Sequence, residues 1–264
     1  MGEPMHEASS HLTRRLRVVS LAIAAVATGI PAQSPIPDRF TNLEVLPKEI
    51  SRRELVDTMK GFTFALGVEC QHCHAPKPGA DPESGRLEDL DFPSDAREAK
   101  RTARVMLRMV RTINADHLAE LPGENRLAVT CATCHRGVTR PEPIEAIVER
   151  TLAEGGAEDA TVAYRDLRAE HYGSAAYDFS EWPLDTLGER LLERGTPGDA
   201  AAVLRLNGEF HPDSGWLAYL LGEAEFAAGD REAARAAFVR ALEIEPRNTR
   251  AKKRLEELTG DASP

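Results

Sequence analysis

The sequence is built around two short stretches, Cys70-Gln71-His72-Cys73-His74 and Cys131-Ala132-Thr133-Cys134-His135. Each stretch reads C-x-x-C-H, and together they contain all four cysteines of the 264 residues. Two thiols three positions apart lie on one turn of chain, so both can form thioethers to the vinyl groups of one porphyrin. The histidine that follows is then held beneath the ring, where its imidazole can bind iron. The stretches predict two covalently bound c-type haems, attached through Cys70, Cys73, Cys131 and Cys134, with His74 and His135 as proximal ligands.

Three other interpretations of four cysteines compete with this one. Two disulfides would suit an exported protein, but they give no reason for a histidine after each second cysteine. A four-thiolate zinc site is disfavoured because 57 residues separate the two pairs, against about 15–20 in a zinc ribbon. A thioredoxin-like motif would accompany a βαβ pattern, which the sequence lacks.

Composition favours a helical protein and excludes some classes of partner. Ala, Glu, Arg and Leu are abundant, which is typical of helices, and only 5% of the residues are aromatic. The formal net charge of −10 argues against nucleic acid as a partner. Net charge alone does not select a redox partner.

The first thirty residues have the pattern of a secretory signal. Arg14, Arg15 and Arg17 precede an apolar run over 18–30, which is followed by Pro31 and Ala32. This order of basic, apolar and small residues is typical of an exported protein, and the run is too short to span a bilayer, which needs about 20 residues. We expect a signal peptide over 1–32, a linker over 33–41 and a periplasmic location, with membrane association only if the signal stays uncleaved.

A methionine-bearing helix is predicted before each C-x-x-C-H motif. Ser51 and Glu54 form a capping box, and apolar residues then recur at helical spacing until Gly67. Asp95 is expected to cap a second helix that runs to about Asn114. A methionine thioether is a common sixth ligand of haem iron. The apolar faces offer Met59 for the first haem, and spacing alone leaves Met106 and Met109 as alternatives for the second.

Residues 42–140 resemble the cytochrome subunit of photosynthetic reaction centres, specifically one two-haem half of that four-haem protein. The resemblance rests on Leu66-Gly67 just before the first motif, on the segment 106–114 (MLRMVRTIN) and on the segment 129–137 (VTCATCHRG). In that family each haem packs parallel to a helix that supplies its axial methionine. The resemblance implies Met59 as the distal ligand of the first haem and Met106, rather than Met109, for the second.

A 34-residue period appears in the last third of the chain. Its first copy carries Gly188, Gly195, Ala200, Leu204 and Pro212, and its second carries Gly222, Gly229, Ala234, Phe238 and Pro246. This is the spacing of tetratricopeptide repeats, in which small residues allow paired helices to approach closely. Two helices are expected before the repeats, over 144–154 and 157–171, and a capping helix after them over 247–258. About three repeats are normally needed for stability, so the preceding helices or the haem domain should complete the stack.

The sequence thus predicts an all-α protein with a dihaem cytochrome domain over 42–140, connecting helices over 141–180 and a tetratricopeptide array over 181–264. The expected function is electron transfer between redox partner proteins, with the repeats as a module for protein or peptide docking. Methionine and histidine on both irons would leave no open position for a substrate, which favours a carrier over an enzyme. The alternatives are a dihaem redox enzyme such as a peroxidase, and a haem-bearing repeat scaffold or redox sensor.

Overall fold

The protein is described here by a computed structural model over residues 36–37, 39–82, 84–123 and 127–260. The predicted signal peptide, 1–32, lies outside the described residues. The described part is mostly helical, as expected from composition, with one pair of two-residue strands. Within it, no helix combines the length and apolarity that crossing a bilayer requires.

The first helix, α1 (Arg52–Leu66), begins and ends where the sequence predicts. The Ser51 hydroxyl accepts from the Glu54 amide at 3.2 Å, and the Glu54 carboxylate accepts from the Ser51 amide at 3.0 Å. Gly67 ends the helix in the left-handed conformation, with φ 66°, which glycine adopts without a steric penalty. Three residues later the first motif forms the short helix α2 (Cys70–Cys73).

A small antiparallel pair of strands returns the chain to the first motif. Strand β1 (Ala75–Pro76) pairs with β2 (Leu90–Asp91), with Ala75 opposite Asp91. The segment between them includes a 3₁₀ turn, Leu87–Asp89. The pairing brings Phe92 close to His74, although 17 residues separate the two in sequence.

The second long helix, α3 (Glu98–Thr112), starts later than expected. The prediction that Asp95 caps it is wrong, because Arg97 occupies the N-cap position and makes no side-chain cap. The Asp95 carboxylate instead pairs with Arg104 at 2.9 Å and Lys100 at 3.2 Å. Helix α3 continues as a π turn, Ile113–His117, and a 3₁₀ turn, Leu118–Glu120. The second motif forms α4 (Cys131–His135).

The two haem motifs pack crosswise on the two long helices. Helix α1 packs against α4, whereas α3 packs against α2. The Gly137 amide donates to the Ala65 carbonyl at 2.9 Å, joining the end of α1 to the residues after α4. The side-chain amide of Asn114 bonds both backbone groups of Val129 at 2.8 Å, fixing the entry to the second motif.

The connecting helix and the repeats form the rest of the described chain. Helix α5 (Ile144–His171) breaks at Gly156, where φ is 83° and ψ is −174°, between the two predicted helices. The helices that follow are α6 (Trp182–Glu193), α7 (Pro197–Phe210), α8 (Gly215–Ala228), α9 (Arg231–Ile244) and α10 (Thr249–Gly260).

The predicted 34-residue period appears as helix pairs with the same contact in each copy. A Cβ on Gly188 would lie 2.7 Å from the Leu204 side chain, and one on Gly222 would lie 2.4 Å from Phe238. Only glycine permits these close approaches. Helix α5 contributes Val148, Leu152 and Tyr164 to the core shared with α6–α8, so a preceding helix completes the stack as expected. At the other end, α10 packs on α9 and buries Ala251.

Candidate functional site

An apolar cavity of about 330 Å³ lies between the two long helices and both C-x-x-C-H motifs. Its volume falls within the range of small-molecule and cofactor sites, about 300–1,000 Å³. Among the predicted site residues, those on its wall are Cys73, Cys131, His135 and Met106. Much of the remaining wall is apolar and comes from Phe62, Leu66, Ala99, Ala103 and Leu107. One cavity therefore brings together residues from both motifs.

His135 is oriented for iron ligation by a backbone carbonyl three residues further along the chain. The residue is 9% exposed, and its Nδ1 lies 2.9 Å from the Val138 carbonyl oxygen. Because a carbonyl can only accept, Nδ1 carries the proton and Nε2 keeps a free lone pair. A histidine that binds a metal almost always donates its second ring nitrogen in this way.

His74 is held by an aromatic neighbour. The rings of His74 and Phe92 meet edge to face, with centroids 4.9 Å apart. Burial lowers the pKa of His74 below its usual value, and the nearby charge of Lys100 lowers it further. The neutral imidazole, which is the form that binds iron, is therefore favoured.

The four cysteines form no disulfides and lie in different environments. Burial raises the pKa of Cys73 and of Cys131 above the usual thiol value, whereas Cys134 is exposed. Cys70 and Cys134 do not line the cavity. Within the described residues, no three His, Cys, Asp or Glu side chains converge as they would around a metal ion.

The three candidate distal methionines occupy different positions. Met106 lines the cavity, whereas Met109 is 42% exposed and lies off its wall. Met59 is half-buried on α1, the helix that packs against the second motif rather than the first.

Several residues of the site were not singled out from the sequence. His72, which lies inside the first motif, also lines the cavity. Phe92 contacts His74 only because the two strands pair, and Val138 contributes only its backbone carbonyl. No sequence pattern therefore predicts either residue as part of the site. Phe62 and Leu66, by contrast, belong to the apolar residues that recur at helical spacing along α1 in the sequence.

The residues present fit a covalently bound haem. The cavity is lined largely by apolar groups, one cysteine of each C-x-x-C-H motif is on its wall, and His135 offers its Nε2. The Nδ1–H group of His135 already donates a hydrogen bond to the Val138 carbonyl. These are features of a c-type cytochrome.

Comparison with known proteins agrees with this assignment to the c-type cytochromes. The family described as photosynthetic reaction centre cytochrome C subunit matches residues 5–195, which is more than half of the chain. The protein therefore belongs to this family, and membership implies covalently bound c-type haem. The match extends beyond both ends of the segment 42–140 that carries the resemblance in the sequence.

Cytochrome c-554 of Chloroflexus aurantiacus is a curated relative, 41% identical over 71 residues. The match covers 27% of this chain and only 14% of the relative's length.

Two solved structures resemble part of the chain. They are the first TPR of Spaghetti (RPAP3) bound to an HSP90 peptide and the first TPR domain of the human RPAP3 protein. The identities are 17% and 16%, and the TM-scores are 0.32 and 0.31. They cover 45% and 44% of this chain and 89% and 87% of their own. At such scores the likeness carries no conclusion, and the repeat architecture rests on the helix packing described above.

Proposed function

We propose that the protein is an exported dihaem c-type cytochrome that carries electrons between redox partners. The observation that carries the proposal is the shared cavity, in which Cys73 and Cys131 belong to different C-x-x-C-H motifs. When bound, c-type haem supplies an iron that cycles between the ferric and ferrous states. The chain's residues would hold two such groups close together, exclude water with apolar walls and fix the ligand histidines.

The proposed attachment residues are Cys70 and Cys73 for the first haem and Cys131 and Cys134 for the second. His74 and His135 are the proposed proximal ligands. The backbone hydrogen bond of His135 and the ring contact of His74 support these roles. Thiols that are partly buried and have raised pKa values are poor nucleophiles, which fits attachment of haem before the chain folds.

A haem count tests the proposal directly. The full chain, expressed with its export signal in a host that matures c-type cytochromes, is assayed as the pyridine haemochrome and normalised to protein. We expect two c-type haems per chain. Replacing Cys131 and Cys134 by serine should leave one haem, as should replacing Cys70 and Cys73. A wild-type protein without c-type haem would overturn the proposal.

The proposed distal ligands are Met59 for the first haem and Met106 for the second. The position of Met106 on the cavity wall supports it over Met109. The assignment of Met59 rests on the family resemblance, and the crosswise packing makes a separate test of each haem necessary.

The two single-haem backgrounds provide that test. Met59→Ala and Met106→Ala are each placed in both backgrounds, and the thioether-to-iron charge-transfer band is recorded. Met59→Ala should abolish the band only where the first haem remains, and Met106→Ala only where the second remains. Met109→Ala is the matched control and should preserve both bands. If Met59→Ala instead abolished the band of the second haem and Met106→Ala that of the first, each helix would supply the distal ligand of the motif that it contacts.

The location and the role of the repeats are further parts of the proposal. The signal pattern over 1–32 supports periplasmic export, and processing can be read from the N-terminus of the purified protein. The repeats would dock a partner protein. The paired helices of α6–α9 support this role, because such arrays present extended surfaces for binding.

A further inference from the structure

Lys100 lies under the turn that joins β2 to α3. Its ammonium donates to three consecutive carbonyls: Phe92 at 2.8 Å, Pro93 at 3.0 Å and Ser94 at 2.8 Å. An ammonium has three N–H groups, and here it is surrounded by these three carbonyls and by the Asp95 carboxylate at 3.2 Å. The side chain is only 13% exposed, and hydrogen bonds from a charged donor are stronger than neutral ones. Lys100 therefore fixes the path of this turn.

The turn it fixes carries Phe92, the residue that contacts His74. Strand β2 ends immediately before Phe92, and β1 begins immediately after His74. Other bonds hold the same turn from outside, since the Asn42 amide donates to the Pro93 carbonyl at 2.6 Å. The contact between the Phe92 and His74 rings thus depends on the conformation that Lys100 imposes.

The charge of Lys100 also reaches the first motif. Its ammonium donates to the carbonyl of Phe92, whose ring lies against His74, and α3, which carries Lys100, packs on α2. Two carboxylates oppose it. Asp91 lies opposite Ala75, the residue that follows His74, and Asp95 pairs with both Lys100 and Arg104.

We propose that Lys100 is a positioning residue of the first haem site, which holds Phe92 against His74 and keeps a positive charge beside the first motif. The proposal rests on the proposed function, because it takes His74 as a haem ligand. A fixed positive charge near an iron centre favours the reduced form, so Lys100 should raise the reduction potential of the first haem relative to a neutral side chain.

The test compares Lys100→Met with Arg101→Met in the full-length holoprotein. Arg101 is the matched control, because it is the next residue of the same helix and donates to the carbonyls of Asp95 and Ala96 but not to that of Phe92. Both midpoint potentials are measured by optical redox titration. Each is assigned to its haem in the two single-haem backgrounds.

In Lys100→Met we expect two haems per chain, a more negative potential for the first haem and an unchanged potential for the second. Arg101→Met should move neither potential, and Lys100→Arg should restore most of the shift. Phe92→Leu should alter the ferric EPR signal of the first haem while leaving most of its potential, since it removes the ring contact and keeps the charge.

Three results would overturn the inference: both potentials unchanged in Lys100→Met, both shifted equally, or the same shift in Arg101→Met. If Lys100→Met does not mature, Lys100→Gln, which retains two donors without the charge, takes its place with the same expectations. A wild-type protein with no haem would instead defeat the proposed function, so the two failures are distinguishable.

Discussion

Gly67 lies where the end of α1 meets the residues after the second motif. Its φ is +66°, and a Cβ built on it would lie 2.1 Å from the Gly137 carbonyl oxygen. Both the left-handed conformation and the contact require a residue without a side chain. This position couples the first long helix to the second haem motif.

We expect Gly67→Ala to destabilise the folded protein by about 2–3 kcal/mol, since it combines left-handed strain with a backbone clash. Gly61→Ala in the same helix is the control, because its Cβ would meet no atom within 4 Å. It should stabilise by about 0.5–1 kcal/mol. Urea unfolding of the holoprotein measures both. Equal effects of the two substitutions would contradict the close approach.

Asp185 is a buried carboxyl in the repeats, 1% exposed. It accepts from the Asn207 amide at 2.8 Å. Burial raises its pKa from 3.8 to about 7; the Asn207 hydrogen bond opposes the shift, and the charges of Glu181 and Glu189 add to it. Between those two values the folded protein holds a proton that the unfolded chain has released. The free energy of unfolding should therefore fall as the pH rises through this window, by about 1.4 kcal/mol per unit of pKa difference.

Asp185→Asn should flatten this pH dependence, because the amide keeps an acceptor for Asn207 and has no charge to bury. Unfolding by urea at about pH 5 and about pH 8 gives the slope. Asp213→Asn, at a carboxylate that is 92% exposed, should keep the wild-type slope. If the free energy of unfolding of Asp185→Asn still fell steeply with pH, a group other than Asp185 would be the cause.

At the scale of elements, each repeat is held by a glycine on one helix facing a large side chain on the next. Gly222 on α8 faces Phe238 on α9, and both are buried. The ring is fully buried, so it cannot move aside without opening a cavity. The glycine therefore recurs every 34 residues because the packing of each helix pair leaves no room for a side chain at that position.

Gly222→Ala should destabilise the protein by about 1–3 kcal/mol through overpacking. Gly208→Ala is the matched control, as it lies within α7 and its Cβ would meet nothing within 4 Å. A helix former at such a position should stabilise by about 0.5–1 kcal/mol. Thermal unfolding followed by circular dichroism compares the two. A neutral Gly222→Ala would mean that α8 and α9 can separate without cost.

At the scale of the whole molecule, the hydrophobic core is unevenly distributed. In the described chain, both clusters of buried apolar residues lie between Ile144 and Leu258. The long helix α3 buries no residue completely, and α1 buries only Leu55 and Ala65. Bound haem would supply the apolar contacts that this part of the molecule lacks.

We therefore expect the chain without haem to keep its repeats and to loosen its haem segment. In a variant with all four cysteines changed to serine, amide hydrogen exchange should be fast over 52–140 and slow over 144–258. The wild-type holoprotein should be protected in both regions, because a group that binds only the folded state stabilises it. Equal protection of 52–140 in the two proteins would contradict this division.

The sequence alone determined the features that depend on local spacing. The C-x-x-C-H motifs, the capping box at Ser51, the stop at Gly67 and the 34-residue period all follow from residues close together or from a regular repeat. Such features fix backbone geometry within a few turns, so they can be read before any fold is known.

Only the tertiary structure decided which parts of the chain meet. The crosswise packing of α1 on α4, the ring contact of Phe92 with His74 and the burial of Lys100 join segments whose relative placement no local pattern encodes. Asp95 shows the difference, since its sequence position suggests a helix cap, whereas the fold brings Arg104 and Lys100 close enough to pair with it. These ion pairs and the close backbone approaches arise from the folded arrangement, which outweighs local preference.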